Sequence, residues 1–176
     1  MTPVRWWGVA SSAAAPVLLI GGWTLAAHRQ PGGFDSFRGT ISALAAYGAT
    51  DRWLMTSALF GVGAAHCATA LALRPAARPG RLLVAVGGVA TAGVGLNALP
   101  ADGTGSPRHT TAAVVAFSAL ALWPAVGWRR NVAQPVLLRR TAGLAAALLL
   151  STTVGWFFAA ATREAELIGL YGRTRT

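Results

Sequence analysis

Hydrophobic and polar positions alternate along this chain in long blocks. Five apolar runs, at 4–27, 53–73, 82–99, 110–128 and 141–162, are separated by the polar stretches "RQPGGFDS", "RPAARPGR", "LPADGTGSP" and "RRNVAQPVLLRR". A helix rises about 1.5 Å per residue, so each run is long enough to cross about 30 Å of hydrocarbon. Backbone groups in lipid must be satisfied within the segment, which makes each run a helix. The pattern therefore predicts an all-α, polytopic transmembrane helical bundle of five spans, formed as one integral-membrane domain over 1–176. Between the first two runs, "GTISALAAYGA" (39–49) is apolar but too short to cross, and it predicts a short re-entrant or interfacial helix with Asp35 or Ser36 near its N-cap. The tail "REAELIGLYGRTRT" predicts one short amphipathic turn at the membrane surface.

Composition sharpens this picture. Hydrophobic residues make up 54% of the chain and charged residues only 11%. A soluble domain carries about 25% charged residues, so this chain cannot cover a water-facing surface. All 15 basic residues are arginine, a usage that, with abundant alanine and glycine, points to a GC-rich, actinobacterial type of genome. The arginines sit at the ends of the apolar runs rather than in a phosphate-tracking patch, which argues against nucleic acid as a partner.

The same arginines orient the bundle. Arg5, Arg74, Arg78, Arg81, Arg129, Arg130, Arg139 and Arg140 fall on one side with no acid, a net charge of +8. The other side carries seven arginines and all five acids, a net charge of +2. The positive-inside rule makes the first side cytoplasmic, with the N-terminus inside a bacterial cytoplasmic membrane. The first run is too long for the roughly 7–15 residues of a signal-peptide core, and "TLAAHR" is a poor cleavage site, so it reads as an uncleaved anchor. The single cysteine, Cys67, excludes an intrachain disulfide and a cysteine metal cluster.

Candidate chemistry gathers on the acidic side. The loop "NALPADGTGSPRHT" (97–110) places Asn97, Asp102 and His109 together, and Asp35, Ser42, Asp51 and Glu164 reach the same face from other segments. Carboxylates at a low-dielectric edge can serve as general acid and general base. The plainer reading is local: Asp51 with Arg52, Asp102 with Arg108, and Asp35 with Arg38 as loop ion pairs and helix caps. His109 at a helix start is poorly placed beside the positive helix end unless it is neutral or paired. His66 lies deep in the second run, about 20 Å from its start at 1.5 Å per residue, out of reach of His109. Trp53, Trp156 and Phe157 read either as part of an interfacial aromatic belt or as the lining of an apolar pocket. Gly87, Thr91 and Gly95 repeat every four residues and form a small-residue face for close helix packing, which also offers a contact for a homo-oligomer. No histidine or cysteine spacing typical of a metal site, no phosphate loop and no nucleophile elbow occurs, so neither a metal nor a cofactor is expected.

Taken together, "DSFRGTISALAAYGATDRWLM" (35–55) and the later "LPADGTGSPRH" resemble the bacterial membrane family catalogued as domain of unknown function 998. The resemblance rests on Asp35 before Ile41, Ser42 and Leu44, on Trp53, Leu54 and Met55 opening a span, and on Pro100 and Asp102 in a loop that ends at His109. It implies a polytopic helical bundle and no particular activity. In size and character the chain is also similar to the small membrane terpene cyclases of actinobacteria.

The residues themselves suggest an enzyme embedded among membrane lipids and acting on an apolar lipid or isoprenoid. Asp35 or Asp102 would give a proton, and His109 or Glu164 would take one back, in a cyclisation or isomerisation. Ser42, Trp53, Asn97, Trp156 and Phe157 would hold the small-molecule substrate. A metal-assisted lipid hydrolase and a non-catalytic partner or binding protein are the alternatives.

Overall fold

A computed structural model describes residues 4–36, 39–102, 104–129 and 138–173, with the side chains at 161 and 164–173 excepted. Among the described residues five α-helices follow one another: α1 (Trp6–His28), α2 (Trp53–Ala72), α3 (Arg78–Leu96), α4 (Pro107–Val126) and α5 (Arg140–Arg173). A 3-10 turn, Ile41–Ala45, lies between α1 and α2. No strand occurs among the described residues. Helices α1 to α4 and the Arg140–Ala160 part of α5 are each long and apolar enough to cross a membrane, and the protein is a multi-pass membrane protein.

Several boundaries differ from the apolar runs for local reasons. α3 begins at Arg78, before the apolar run, because Pro79 in its first turn has no N–H to lose and a preset φ. α4 begins at Pro107, where Ser106 caps the helix by accepting from the His109 N–H at 3.4 Å. The segment expected as a short helix over 39–49 narrows to the five-residue turn, because Ala46 takes an extended conformation and the Tyr47 N–H is drawn to the Leu99 carbonyl at 3.0 Å. The tail does not form a separate turn: no proline interrupts the chain after Arg140, and α5 runs on to Arg173.

Each helix packs on its neighbours in sequence, α1 on α2, α2 on α3, α3 on α4 and α4 on α5. Lipid tails are as apolar as leucine, so helices in a membrane associate by close van der Waals packing at small residues. At the α2–α3 crossing, a Cβ built on Gly63 would stand 2.6 Å from the Gly88 carbonyl oxygen, and one on Gly88 would stand 2.6 Å from that of Gly63. On the next face of α3, Gly87 meets the Leu120 side chain of α4. Gly87, Gly88, Thr91 and Gly95 are all buried, so the small-residue face of α3 is used within the chain, against α2 and α4.

The two ends of the bundle are finished differently. At one, Ala26 of α1, Leu44 and Ala45 of the turn, Met55, Ala58 and Leu59 of α2, and Val94 of α3 form a single apolar cluster. Leu44 and Met55 are its largest fully buried side chains, so the 41–45 turn is folded into the bundle and does not merely lie across it. At the other end, arginines close the helix termini. Arg81 donates from Nε to the Ala70 carbonyl at 2.8 Å and from Nη2 to that of Leu71 at 3.3 Å. Arg129 donates to the carbonyls of Arg74 at 3.3 Å and Ala76 at 3.0 Å.

The glycine crossing sets a stability prediction. Gly63→Ala or Gly88→Ala forces the facing carbonyl to move, and each is expected to cost about 1–3 kcal/mol, read as a lower melting temperature in detergent. Gly155→Ala, where no atom lies within 4 Å of the new methyl, is expected to leave the melting temperature unchanged or slightly raised.

Candidate functional site

Three segments meet at the end of the bundle that holds the 41–45 turn. The first is the turn itself. Thr40 caps it by accepting from the Ala43 N–H at 3.3 Å, and Leu44 and Ala45 anchor it in the core. Arg52 at the start of α2 donates to the Ala45 carbonyl at 3.1 Å and stacks its guanidinium 4.6 Å from the centre of the Tyr47 ring. Gln30, just after α1, grips the turn before α2: its amide donates to the Thr50 carbonyl at 2.9 Å and accepts from the Thr50 N–H at 3.1 Å. Ser42 is thereby held half-buried at a fixed place.

The second segment is the end of α3. Asn97 terminates the helix, with its N–H on the Gly93 carbonyl at 3.0 Å and its side-chain amide on the same oxygen at 2.8 Å. The last carbonyls of a helix have no partner inside it. The carbonyl of Asn97 finds one in the third segment, the first turn of α4, where it lies 2.8 Å from Nδ1 of His109.

That contact fixes the chemistry of the imidazole. A carbonyl can only accept, so Nδ1 carries the proton. In the neutral ring the Nε2 lone pair then faces Ser42, whose Oγ lies 3.0 Å away and donates its hydroxyl proton. His109 is 6% exposed, and it and Thr91 are the buried polar residues among those described. A hydroxyl, a base within hydrogen-bond reach, and a third group that orients the base form the arrangement that activates a nucleophile. Here the third group is a backbone carbonyl. It fixes the tautomer without the negative charge that a carboxylate would supply to a protonated ring.

The other residues singled out in the sequence take different places. Asp102 is fully exposed, and its Oδ1 accepts from the Thr104 N–H at 3.0 Å and the Thr104 hydroxyl at 2.8 Å. Those bonds, the backbone one foremost, hold its carboxyl below the ordinary range. His109 takes its partners from Asn97 and Ser42, and Asp102 takes its own from Thr104. Asp35 is exposed in the loop after α1, where its carbonyl accepts from the Gly39 N–H at 2.7 Å. Asp51 lies 3.5 Å from Arg29. The side chain of Glu164 lies outside the described residues.

Trp53 and Trp156 are 60% and 74% exposed on their helices, as an interfacial belt requires. Phe157 joins Phe117 and Phe158 in a cluster with ring centres 5.6–5.9 Å apart. A groove of about 600 Å³ runs along Gly105, Ser106, Pro107, Thr110, Thr111, Val114 and Val115. At about 100° per residue its helical lining centres on the face of α4 turned away from His109. Among the described residues, no three His, Cys, Asp or Glu side chains converge to hold a metal ion.

Sequence reasoning missed how the site is held. Ser106 three residues before His109 has N-cap spacing and could have been read. The part played by the Asn97 carbonyl could not, because every residue has one.

The family described as "Protein of unknown function (DUF998)" matches residues 12–175. Neither a curated protein nor a solved structure matches the chain.

Two NMR measurements check this geometry. Nitrogen-15 spectra are expected to show the His109 Nδ1 as a hydrogen-bonded N–H, and Ser42→Ala is expected to leave that N–H in place. For Asp102 the folded pKa is depressed, so its turn is stabilised above the unfolded value and loses that stabilisation as pH falls through the folded one. The Thr104 amide shift should therefore titrate with a midpoint below the ordinary carboxylate range, and Asp102→Asn should abolish the titration.

Proposed function

The chain belongs to the DUF998 family, and from the geometry of its rim site we propose that it is a membrane-embedded enzyme acting on an apolar lipid or isoprenoid substrate, with Ser42 and His109 at the reacting centre. The observation that carries this reading is the buried His109 ring, held through Nδ1 by the Asn97 carbonyl and turned through Nε2 onto the Ser42 hydroxyl.

The pair favours base-assisted over acid-initiated chemistry. A cyclisation begun by protonation needs a carboxyl at the reacting centre, whereas Asp35 and Asp102 are exposed and Asp102 is bound to Thr104. A neutral imidazole accepts protons. In the reading proposed here, Ser42 Oγ attacks an ester carbonyl of a lipid while its proton passes to His109 Nε2. The leaving oxygen then takes that proton, and water releases the acyl group by the reverse path. The substrate class follows from the setting. The site lies at a helix end of a membrane protein, so a lipid whose polar bond lies near the headgroup level brings that bond to Ser42. With the N-terminus in the cytoplasm of a bacterial cell, as the arginine distribution directs, this is the outer rim.

A second reading has one observation in its favour, the depth of His109. A ring 6% exposed can serve as a pin that fastens the 41–45 turn to α3 and α4. Loss of such a buried bond costs about 1–3 kcal/mol.

An alkyl fluorophosphonate, a lipid-like probe that phosphonylates activated serines, separates the two. With the protein in native membranes, labelling is expected on Ser42 and is lost in Ser42→Ala. His109→Ala is expected to slow it about 10²–10⁴-fold, as loss of a general base does. Asp102→Ala is expected to label within twofold of the unaltered chain. No phosphonyl adduct on Ser42, together with a lowered melting temperature in both Ser42→Ala and His109→Ala, would establish the pin and end the enzymatic reading.

A further inference from the structure

At the opposite end of the bundle, a groove of about 380 Å³ opens between the end of α2 and the start of α3. Its walls are apolar, formed by Cys67, Ala70, Leu71, Leu82 and Ala85, and Arg78 and Arg81 stand at its mouth. The arginines are three residues apart on one helix and so share a face. Arg81 is already fixed. Its bonds to the Ala70 and Leu71 carbonyls hold the guanidinium at the rim and use two of its five N–H donors. Arg78 is exposed beside it.

The surroundings are uniformly positive. Arg5, Arg74, Arg129, Arg139 and Arg140 lie at this end of the helices, and all five acids of the chain, Asp35, Asp51, Asp102, Glu164 and Glu166, belong to segments at the other. Among the described residues no carboxylate pairs with Arg78 or Arg81. An apolar slot that faces lipid and ends under two arginines is complementary to one kind of molecule.

We propose that this groove is a binding site for an anionic phospholipid, with an acyl chain along Leu71, Leu82 and Ala85 and the phosphate on Arg78 and Arg81. Basic pockets between transmembrane helices hold acidic headgroups in this way, each arginine near the surface contributing about 1 kcal/mol. The site is independent of Ser42 and His109, which lie at the far end.

Cys67 supplies the test, because it is the only cysteine in the chain and lines the groove. A seated acyl chain covers it. In lipid nanodiscs, alkylation of Cys67 by a maleimide is expected to be about 30-fold slower with phosphatidylglycerol present than with phosphatidylcholine alone, the ratio that corresponds to about 2 kcal/mol from two arginines. Arg78→Gln, which leaves the Arg81 cap on α2 intact, should cut the difference to about fivefold. Arg5→Gln, an equal charge change at the same end, should keep the full difference. Ala85→Leu fills the groove without altering charge and should release phosphatidylglycerol from the complex in native mass spectrometry. Equal protection by phosphatidylcholine, an equal loss in Arg5→Gln and Arg78→Gln, or protection by inorganic phosphate in detergent would each overturn the lipid site. The first two results would indicate unselective seating or diffuse surface attraction, and the third a simple anion site.

Discussion

A helix that ends within a membrane protein leaves carbonyls that lipid cannot satisfy, and the closing of those carbonyls organises both ends of this bundle. At the arginine end, guanidinium groups do it: Arg81 closes α2, and Arg129 closes the chain that follows α2. At the other end an imidazole does it, with His109 on the carbonyl of Asn97. The difference has chemical consequences. An arginine that caps a helix is a fixed cation and suits an anion. A histidine that caps one through Nδ1 is left with a lone pair on the opposite side of the ring, and here that lone pair meets a hydroxyl. The candidate reactive pair is thus a by-product of finishing α3.

The helices between these ends are held by proximity more than by burial. α2 and α3 cross at Gly63 and Gly88, where backbone approaches backbone. α1 and α5, the first and last helices, keep most of their surface turned outward, with 11% of each span buried. Such an arrangement packs the interior helices closely and leaves the flanks turned outward. The positions of Ser42, Asn97 and His109 depend on that packing, because the turn, α3 and α4 all rest on it.

Much of this could be read from the sequence, and what could not has a physical reason. Five apolar runs gave five helices, because length and hydropathy dominate in a membrane. Counting spans placed Ser42, Asn97 and His109 on one side of the bundle, together with Asp35, Asp51, Asp102 and Glu164. Their roles did not follow so directly. Asn97 drew attention as a buried amide, yet its amide folds back on Gly93 and its carbonyl holds His109. Asp102 drew attention as a carboxylate near a histidine, and the two-residue spacing to Thr104 gave it a nearer partner. The apolar 39–49 segment looked long enough for a helix, but Tyr47 pairs with Leu99, a contact no local pattern records. In each case a local hydrogen bond or a backbone atom decided the outcome, and composition is blind to both.

The bond between Ser42 and His109 joins residues 67 positions apart. As the chain emerges from the ribosome, α1, the turn, α2 and α3 are all made before His109 exists. Until α4 enters the bilayer, the Ser42 hydroxyl faces no imidazole and the Asn97 carbonyl has no ring to accept from. A nascent or truncated chain therefore holds Ser42 without its ring partner, and the completed hydrogen-bond pair reports that four spans have been threaded in the right order.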